Sequence, residues 1–435
     1  MTARTLFKNA RLLDPATALD QKGDLLVADR KIAAVGTRAA ADAPRAAADA
    51  PGAAVIECHG HCLAPGLVDM RVELREPGRE HEETMESGAA AAAAGGITTM
   101  VALPNTEPAI DDVALVEFVA RRSREVGVHI RTYAAATRGF KGREITEIGL
   151  LSAAGAVAFT DANTAIADAV VLRRAFSYAR TFDALIVQHP EEPSLAAGGH
   201  MTEGETATRL GLSGITPAAE VMMVERDLRL VEITGARYHV AHVSTGAAIE
   251  AIRAAKARGL PVTCDTAPPY FALNETAVGE YRTFAKLSPP LRSEADRRAV
   301  VAGLRDGTID AIASDHSPHP QDSKRLPFAS AEAGIIGLET LLPLTLELVH
   351  NGHLTLLQAL RALSQRPAEI LRLPAGRLAE GTPADLVLFD LDRPGRIDVA
   401  SFRSKSKNSP FDGRPVQGRV LKTMVEGRFV FGGDN

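Results

Sequence analysis

Short apolar runs alternate with amphipathic stretches through most of the chain. Between residues 62 and 316, eight apolar runs have the pattern of buried strands that end in polar residues. They cover residues 63–74, 98–103, 129–137, 156–161, 184–189, 237–244, 261–267 and 309–316. Helical periodicity fills the gaps, as at residues 83–94, 112–126, 168–180, 218–234, 247–258 and 294–304. Strands that alternate with helices in this way over roughly 250 residues predict an α/β fold, a (β/α)8 TIM barrel.

The two ends of the chain carry a different pattern. Strand-like runs separated by turn residues fill residues 1–61, and similar runs return at residues 384–390, 420–425 and 428–431. The Ala/Asp/Pro-rich stretch at residues 39–51 has the composition of a loop. We therefore predict a small β-sandwich built from both chain ends. Its parts are residues 1–61 and 373–435, and residues 62–372 form the barrel.

Composition narrows the class of partner. The 435 residues carry a net charge of −5, which gives no reason to expect nucleic acid or an anionic membrane as a partner. No apolar run is long enough to span a bilayer, and the N-terminus lacks the apolar core of a signal peptide. Three cysteines, Cys58, Cys62 and Cys264, are too few for a disulfide framework. A cytoplasmic protein with reduced thiols is expected.

Four barrel strands end in side chains that can bind a metal: Asp161, His189, His242 and Asp315. Active sites of (β/α)8 barrels lie at the C-terminal ends of the strands, so we expect these groups to share one end of the barrel. Imidazole and carboxylate ligands suit zinc, and a catalytic zinc keeps one position open for water. A lone histidine at a strand end is more often a hydrogen-bonded loop residue. The case for a metal site therefore depends on the set of four.

The first barrel strand carries a segment that resembles a known family. Residues 65–78 read PGLVDMRVELREPG, which is similar to the first-strand signature of dihydroorotases, in the metal-dependent amidohydrolase superfamily. That signature normally reads Asp-x-His-x-His-Leu-Arg-Glu-Pro-Gly. Residues 376–390 and 404–413 resemble the C-terminal region of the same family, so the resemblance covers nearly the whole chain. Arg71 and Glu73 stand where the family has its two metal-binding histidines.

The resemblance implies how a metal would be held. In the family, one metal lies between the paired first-strand histidines and the strand-8 aspartate, which corresponds to Asp315. A second metal lies on the strand-5 and strand-6 histidines, which correspond to His189 and His242, and a strand-4 residue bridges the two metals. In one branch that bridge is the aspartate of a Phe-Thr-Asp segment, which is similar to residues 159–161 and assigns the bridge to Asp161. The implied cofactor is one Zn²⁺ at this strand-4/5/6 site, or none.

The two replaced histidines leave the other half of the site open to several interpretations. Glu73 could still bind a metal through its carboxylate, whereas Arg71 cannot, because its guanidinium stays protonated and has no lone pair. Arg71 is expected to pair with Asp315 or Glu73, and it could polarise a substrate carbonyl in place of a metal. The simpler interpretation is an Arg71–Asp315 ion pair in a site that has lost its activity.

The resemblance also implies catalytic and substrate-binding roles. Asp315 corresponds to the family's general base, which takes a proton from water and delivers it to the leaving nitrogen. Arg75 and Asn105 correspond to residues that hold the substrate carboxylate, and an arginine fork suits that planar group. His319 corresponds to a residue that contacts the substrate, whereas His316 is expected to be structural.

Three functions follow from these residues. The first is a dihydroorotase-like cyclic amide hydrolase of de novo pyrimidine biosynthesis, which interconverts N-carbamoyl-L-aspartate and L-dihydroorotate and is expected to be a homodimer. The second is an inactive homologue that acts as a scaffold for aspartate transcarbamoylase, as Arg71 and Glu73 suggest. The third is an amidohydrolase for a hydantoin or allantoin. Arg75 and Asn105 argue against the third, because those substrates lack the matching carboxylate.

Overall fold

The computed structural model describes residues 4–36 and 54–433. The predicted loop at residues 39–51 lies outside this range. The strands are β1 Thr5–Asp14, β2 Leu19–Ala28, β3 Lys31–Val35, β4 Ala54–Glu57, β5 Cys62–Pro65, β6 Leu67–Val72, β7 Ile97–Ala102, β8 His129–Ala134, β9 Ala156–Phe159, β10 Leu185–Gln188, β11 Met201–Thr202, β12 Gly214–Ile215, β13 Arg237–Val240, β14 Val262–Thr266, β15 Ala311–Ile312, β16 Leu386–Arg396, β17 Pro415–Val425 and β18 Arg428–Phe431.

The α-helices lie mainly between the barrel strands and after them. They are α1 Met85–Ala94, α2 Val113–Arg122, α3 Ile148–Ala154, α4 Ala169–Thr181, α5 Pro193–Ala196, α6 Glu205–Leu210, α7 Ala218–Thr234, α8 Gly246–Ala257, α9 Pro268–Ala272, α10 Glu294–Asp306, α11 Gln321–Lys324, α12 Leu341–His350, α13 Leu356–Leu360 and α14 Arg366–Leu371. Capping side chains fix several helix starts. Thr84, Asp112 and Ser293 each accept a hydrogen bond from a backbone N–H in the first turn of the helix that follows.

The predicted (β/α)8 barrel is confirmed. Its eight strands are hydrogen-bonded in the order β6-β7-β8-β9-β10-β13-β14-β15, and each neighbouring pair is parallel. A parallel bridge between Val72 and His316 closes the ring. Apolar side chains fill the interior, among them Met70, Val101, Tyr133, Ala158, Val187, Ala241 and Ala313. This packed interior supports the strand ends from below.

Both chain ends build the second β unit, as predicted. Its strands follow the order β18-β17-β16-β5-β1-β2-β3, with β4 added beside β1. Apolar side chains from both ends share one core, including Phe7, Leu25, Leu386 and Met424. The unit therefore holds the N-terminal and C-terminal segments together on one side of the barrel.

The apolar run at residues 63–74 forms two strands rather than one. Residues Cys62–Pro65 (β5) pair with β1 and β16 of the second unit, and the barrel strand begins only at Leu67. The break lies at Gly66, where a Cβ atom would lie 2.1 Å from the Oγ1 atom of Thr98, so no larger residue fits. The second unit thus takes four residues that the predicted boundary after residue 61 assigned to the barrel.

One long connection was not predicted in detail. Between β10 and α7, the chain forms α5, α6 and a two-stranded ribbon of β11 and β12. These elements are too short to produce a readable hydrophobic period. Among the described residues, none of the helices combines the length and apolar character that a membrane crossing needs. All three cysteines are free and buried.

Candidate active site

A pair of histidines forms the most compact part of the site. His189 follows β10 and His242 follows β13. The Nδ1 atom of His189 lies 3.1 Å from the Nε2 atom of His242. Both rings are buried. Two nitrogen ligands on one tetrahedral zinc would be separated by roughly 3.3 Å. The pair therefore has the spacing of two ligands of a single metal ion.

His242 is held in an unusual conformation and is kept neutral. Its backbone has φ 37°, and its N–H donates a hydrogen bond to Asp265, at the end of β14. Burial lowers the pKa of His242 well below its ordinary value, and the nearby Arg71 guanidinium lowers it further. Its Nδ1 atom is buried and has no hydrogen-bond partner among the described residues. A neutral imidazole is the form that binds a metal.

Asp161 does not join the histidine pair in a ligand cluster. Its carboxylate accepts hydrogen bonds from the backbone N–H of Thr137, at 2.8 Å, and from the Thr137 hydroxyl. Burial raises the pKa of Asp161 to about 6. Within residues 4–36 and 54–433, no three His, Cys, Asp or Glu side chains form a group that could hold a metal ion. The structure therefore brings His189 and His242 together and leaves Asp161 bound to Thr137.

Arg71 fills the half of the site where the family has its paired histidines. Its guanidinium is 2% exposed, and the expected pair with Asp315 is present, with Nε 2.7 Å from Oδ1. Its Nη2 donates to Oδ1 of Asn163 at 2.5 Å, and Nδ2 of Asn163 donates to Glu73 at 2.6 Å. The Nη1 atom is buried and has no hydrogen-bond partner in the described part of the chain. Arg71 thus reaches Asp315 directly and Glu73 through one amide.

Asp315 combines burial with a partly open position. Its side chain is 15% exposed, and its backbone lies in the left-handed region at φ 51°. Burial raises the pKa of Asp315 above its ordinary value, and the Arg71 charge opposes that rise. Directly beneath, Asp69 accepts hydrogen bonds from the N–H groups of Ser314 and Arg71, and burial raises its pKa to about 6.

The predicted carboxylate-binding arginine is already surrounded by acidic groups. Arg75 forms ion pairs with Glu73 and with Glu82, the latter at 2.9 Å. It also donates to the hydroxyl of Ser317 and the carbonyl of Pro318, both at 3.2 Å. Burial would raise the pKa of Glu73, but the charge of Arg75 and other neighbours reverses this and leaves the pKa lowered. The Arg75 fork is therefore shared between two protein carboxylates.

The remaining predicted residues take different positions. His319 lies beside Arg75, its Nε2 atom is 2.9 Å from the carbonyl oxygen of Ala333, and its Nδ1 atom is buried and unpartnered among the described residues. Burial, helped by the Arg75 charge, lowers the pKa of His319 to about 4. Asn105 is half-buried after β7. His316 is fully buried between the Gly337 N–H and Glu83, which fits a structural role.

Sequence reasoning missed the residues that connect the site. Asn163, Thr137, Asp265 and Glu82 hold the predicted residues in place without belonging to the family signature. Asn163 was the easiest of these to find, because it follows Asp161 by two residues in the same strand-end segment. A cavity of about 530 Å³ lies elsewhere, between β8 and the β17–β18 turn, and none of the predicted site residues lines it.

Comparison with known proteins gives one consistent family. Residues 60–248 match the family model described as Dihydro-orotase-like, and residues 338–431 match the model described as Amidohydrolase family. A dihydroorotase of Anaplasma phagocytophilum is 47% identical over 425 residues, which cover 97% of this chain and 94% of the relative. A dihydroorotase of Syntrophotalea carbinolica is 46% identical and covers 98% of this chain and 99% of its own length.

Solved structures share the fold over nearly the whole chain. The L-hydantoinase (dihydropyrimidinase) of Arthrobacter aurescens superposes with a TM-score of 0.86 at 28% identity, covering 99% of this chain and 96% of its own. The dihydropyrimidinase of Brevibacillus agri has a TM-score of 0.81 at 23% identity, covering 98% and 95% of the two chains, and this likeness concerns the fold alone.

Proposed function

Because the chain belongs to the dihydroorotase family of metal-dependent cyclic amide hydrolases, we propose that it interconverts N-carbamoyl-L-aspartate and L-dihydroorotate in the cytoplasm. The observation that carries the proposal is the arrangement at the C-terminal ends of the barrel strands. There, a buried histidine pair, of which His242 is kept neutral, and a carboxylate of raised pKa both lie beside one fixed cation, Arg71. A hydrolase of a cyclic amide needs a group that handles protons and a group that stabilises a developing oxyanion.

We assign the proton transfer to Asp315. One of its oxygens is held by Arg71, and its partial exposure leaves the carboxylate open to the barrel mouth. Because its pKa is raised above the ordinary value, it is a stronger base than an exposed aspartate once it is ionised. It would take a proton from the attacking water and pass it to the ring nitrogen as the amide bond breaks.

His189 and His242 are the residues we propose as zinc ligands, with Asp161 as the third. The facing nitrogen atoms of the pair, Nδ1 of His189 and Nε2 of His242, support this assignment. Asp161 would have to give up its hydrogen bonds to Thr137 to join them. A bound zinc would supply Lewis-acid chemistry and lower the pKa of a water molecule. A second metal does not fit beside Arg71, where the acidic residues Asp315 and Glu73 are already bonded to protein donors.

We propose that the substrate carboxylate binds to Arg75, Asn105 and His319. The Nδ1 atom of His319 has no hydrogen-bond partner in the described chain, so it can bind a ligand that reaches it. Arg75 can accept the substrate only by exchanging one of its carboxylate partners, Glu73 or Glu82, for the carboxylate of the ligand.

The test is turnover in both directions by the zinc-supplied protein, with Asp315→Asn and His189→Ala as variants. We expect each variant to lose a factor of at least about 100 in kcat/KM, because general base catalysis and metal activation each contribute that much or more. Asp392→Asn and His353→Ala, both at exposed positions, are the matched controls and should stay near the parent value. A correctly folded parent protein that turns over neither substrate would overturn the proposal.

The assembly is tested in the same preparation. We propose a homodimer, and light scattering on the purified chain gives its mass directly. A complex with aspartate transcarbamoylase is a separate proposal, since the two enzymes handle the same intermediate. A mixture of the two proteins that elutes as one larger species would support it, and separate elution would count against it.

A further inference from the structure

The side of the site next to β6 carries a complete hydrogen-bonded network of its own. Arg71 lies near the end of β6, at the position that a metal-binding histidine takes in the family signature. Its side chain is buried. It contacts the strand-8 aspartate, Asp315, and through Asn163 it reaches Glu73, the second replaced position. The two carboxylates that could hold a metal here are therefore already bonded to Arg71 and Asn163.

We infer that Arg71, oriented by Asn163, permanently replaces the metal ion of this half-site and serves as the positioning residue for Asp315. The positioning role rests on the proposed function, whereas the replacement of the metal does not. The inference states that the chain binds no more than one zinc ion and that its base is aligned by a guanidinium.

Charge explains why a cation is needed at this point. Asp315 and Glu73 are both acidic, and Asp265 lies close enough to raise the pKa of Arg71. Carboxylates brought together without a cation repel one another and become protonated. Arg71 supplies a fixed positive charge that cannot be lost at any ordinary pH, whereas a metal must be captured from solution. The half-site is therefore neutralised as soon as the barrel folds.

Asn163 explains how one cation serves two carboxylates. An amide has an acceptor oxygen and a donor nitrogen, so it can bridge a guanidinium and a carboxylate in only one orientation. Here its Oδ1 faces Nη2 of Arg71 and its Nδ2 faces Glu73. The Nε atom of Arg71 therefore donates to Asp315 and fixes one oxygen of its carboxylate. The Asp315 side chain stays partly exposed to solvent. A metal bound to the same aspartate would align it in a comparable way.

The first experiment counts metal ions and needs no activity. The purified protein is stripped with a chelator, equilibrated with zinc, dialysed and analysed for elements, beside the double variant Arg71→His/Glu73→His. We expect at most one zinc per chain in the parent and one more in the double variant, which restores the paired histidines. Arg71→Met/Glu73→Gln is the control, since it removes the same pair without adding ligands and should gain no zinc.

The second experiment tests the positioning role. Arg71→Met should lower kcat about 100-fold and change KM less than about threefold, because a misaligned base affects the chemical step more than binding. Arg71→Lys, which can still pair with Asp315, should recover at least about tenfold of that loss. Asn163→Ala should give a smaller loss in kcat, and Arg174→Met at an exposed position of α4 should change nothing.

The outcomes separate the inference from the proposed function. Two zinc ions per parent chain, or a folded double variant that gains none, would overturn the replacement of the metal. Normal turnover by Arg71→Met would overturn the positioning role while the hydrolase function stands. A parent protein without turnover would overturn the hydrolase function, and the zinc count would still decide what Arg71 replaces.

Discussion

At the residue scale, the site is unusual for the number of charged groups it buries. Arg71, Glu73, Arg75 and Asp69 all lie within or beneath the barrel mouth and are at most 5% exposed. Buried charges are tolerated only when they are paired or hydrogen-bonded. Arg71, Glu73 and Arg75 meet this requirement through one another and through Asn163. Asp69 accepts hydrogen bonds from the backbone N–H groups of Ser314 and Arg71, and its Oδ2 atom has no hydrogen-bond partner among the described residues.

Asp69→Asn is therefore expected to change how stability depends on pH. The folded-state pKa of Asp69, about 6, exceeds its unfolded value near 4, so ionisation disfavours the folded state. The parent loses stability from this group as pH rises from about 4 to about 6, and the loss is complete above pH 7. The variant, which cannot ionise, should avoid a loss of about 2–3 kcal/mol. Urea unfolding of both proteins at pH 4.5 and pH 7.5 measures this, and an equal stability difference at the two pH values would contradict it.

At the element scale, the hydrophobic pattern identified the barrel strands and most of the helices, because the strands are short buried runs and the helices have one buried face. It could not show where one strand stops and another begins inside a continuous apolar run. The break between β5 and β6 lies at Gly66, whose backbone comes so close to Thr98 of the next barrel strand that a Cβ atom has no room. The short elements between β10 and α7 were missed for a related reason, since a helix of one turn has no period.

Gly66→Ala tests how tightly the chain is packed at this break. Its added Cβ would lie closer than 3.0 Å to three atoms of the Thr98 side chain, so β6 or β7 must shift. We expect the free energy of unfolding to fall by about 1–3 kcal/mol, the usual cost of overpacking a core. Gly395→Ala in β16 is the control, because nothing lies within 4 Å of a Cβ there, and it should change stability by less than about 0.5 kcal/mol. Equal effects of the two variants would show that the close contact does not limit packing.

The same limit applies to the candidate site. Strand-end positions placed Asp161, His189, His242 and Asp315 at one end of the barrel, and charge alone was enough to expect the Arg71–Asp315 pair. Which groups actually touch depends on side-chain conformations in separate loops. Thr137 holds Asp161, and Asn163 joins Arg71 to Glu73, through contacts that span 24 and 90 residues or more of sequence. No periodic pattern records contacts of this kind.

At the scale of the whole molecule, the C-terminal segment reaches back to the barrel mouth. Asn408 lies just before β17, and its Nδ2 atom donates to the carbonyl oxygens of Ser317, at 2.9 Å, and Gly334, at 3.1 Å. Its Oδ1 atom accepts the backbone N–H of His319 at 3.1 Å. One buried amide thus fixes both sides of the loop that carries a proposed substrate-binding histidine. The C-terminal segment that leads into β17 is therefore joined to the active site by the hydrogen bonds of Asn408.

Asn408→Ala should weaken substrate binding from a distance. It leaves the Ser317 carbonyl and the His319 N–H without this partner, whereas the Gly334 carbonyl still accepts from Nζ of Lys324. The loss costs about 1–3 kcal/mol of stability for buried groups. Because His319 contacts substrate in our proposal, KM for L-dihydroorotate should rise about tenfold while kcat changes much less. Asn408→Asp separates the two contributions, since it keeps the acceptor for His319 and loses both donations. If the aspartate variant keeps the parent KM and the alanine variant does not, the His319 N–H is the contact that matters. If both variants keep the parent KM, His319 is not held by Asn408 for substrate binding.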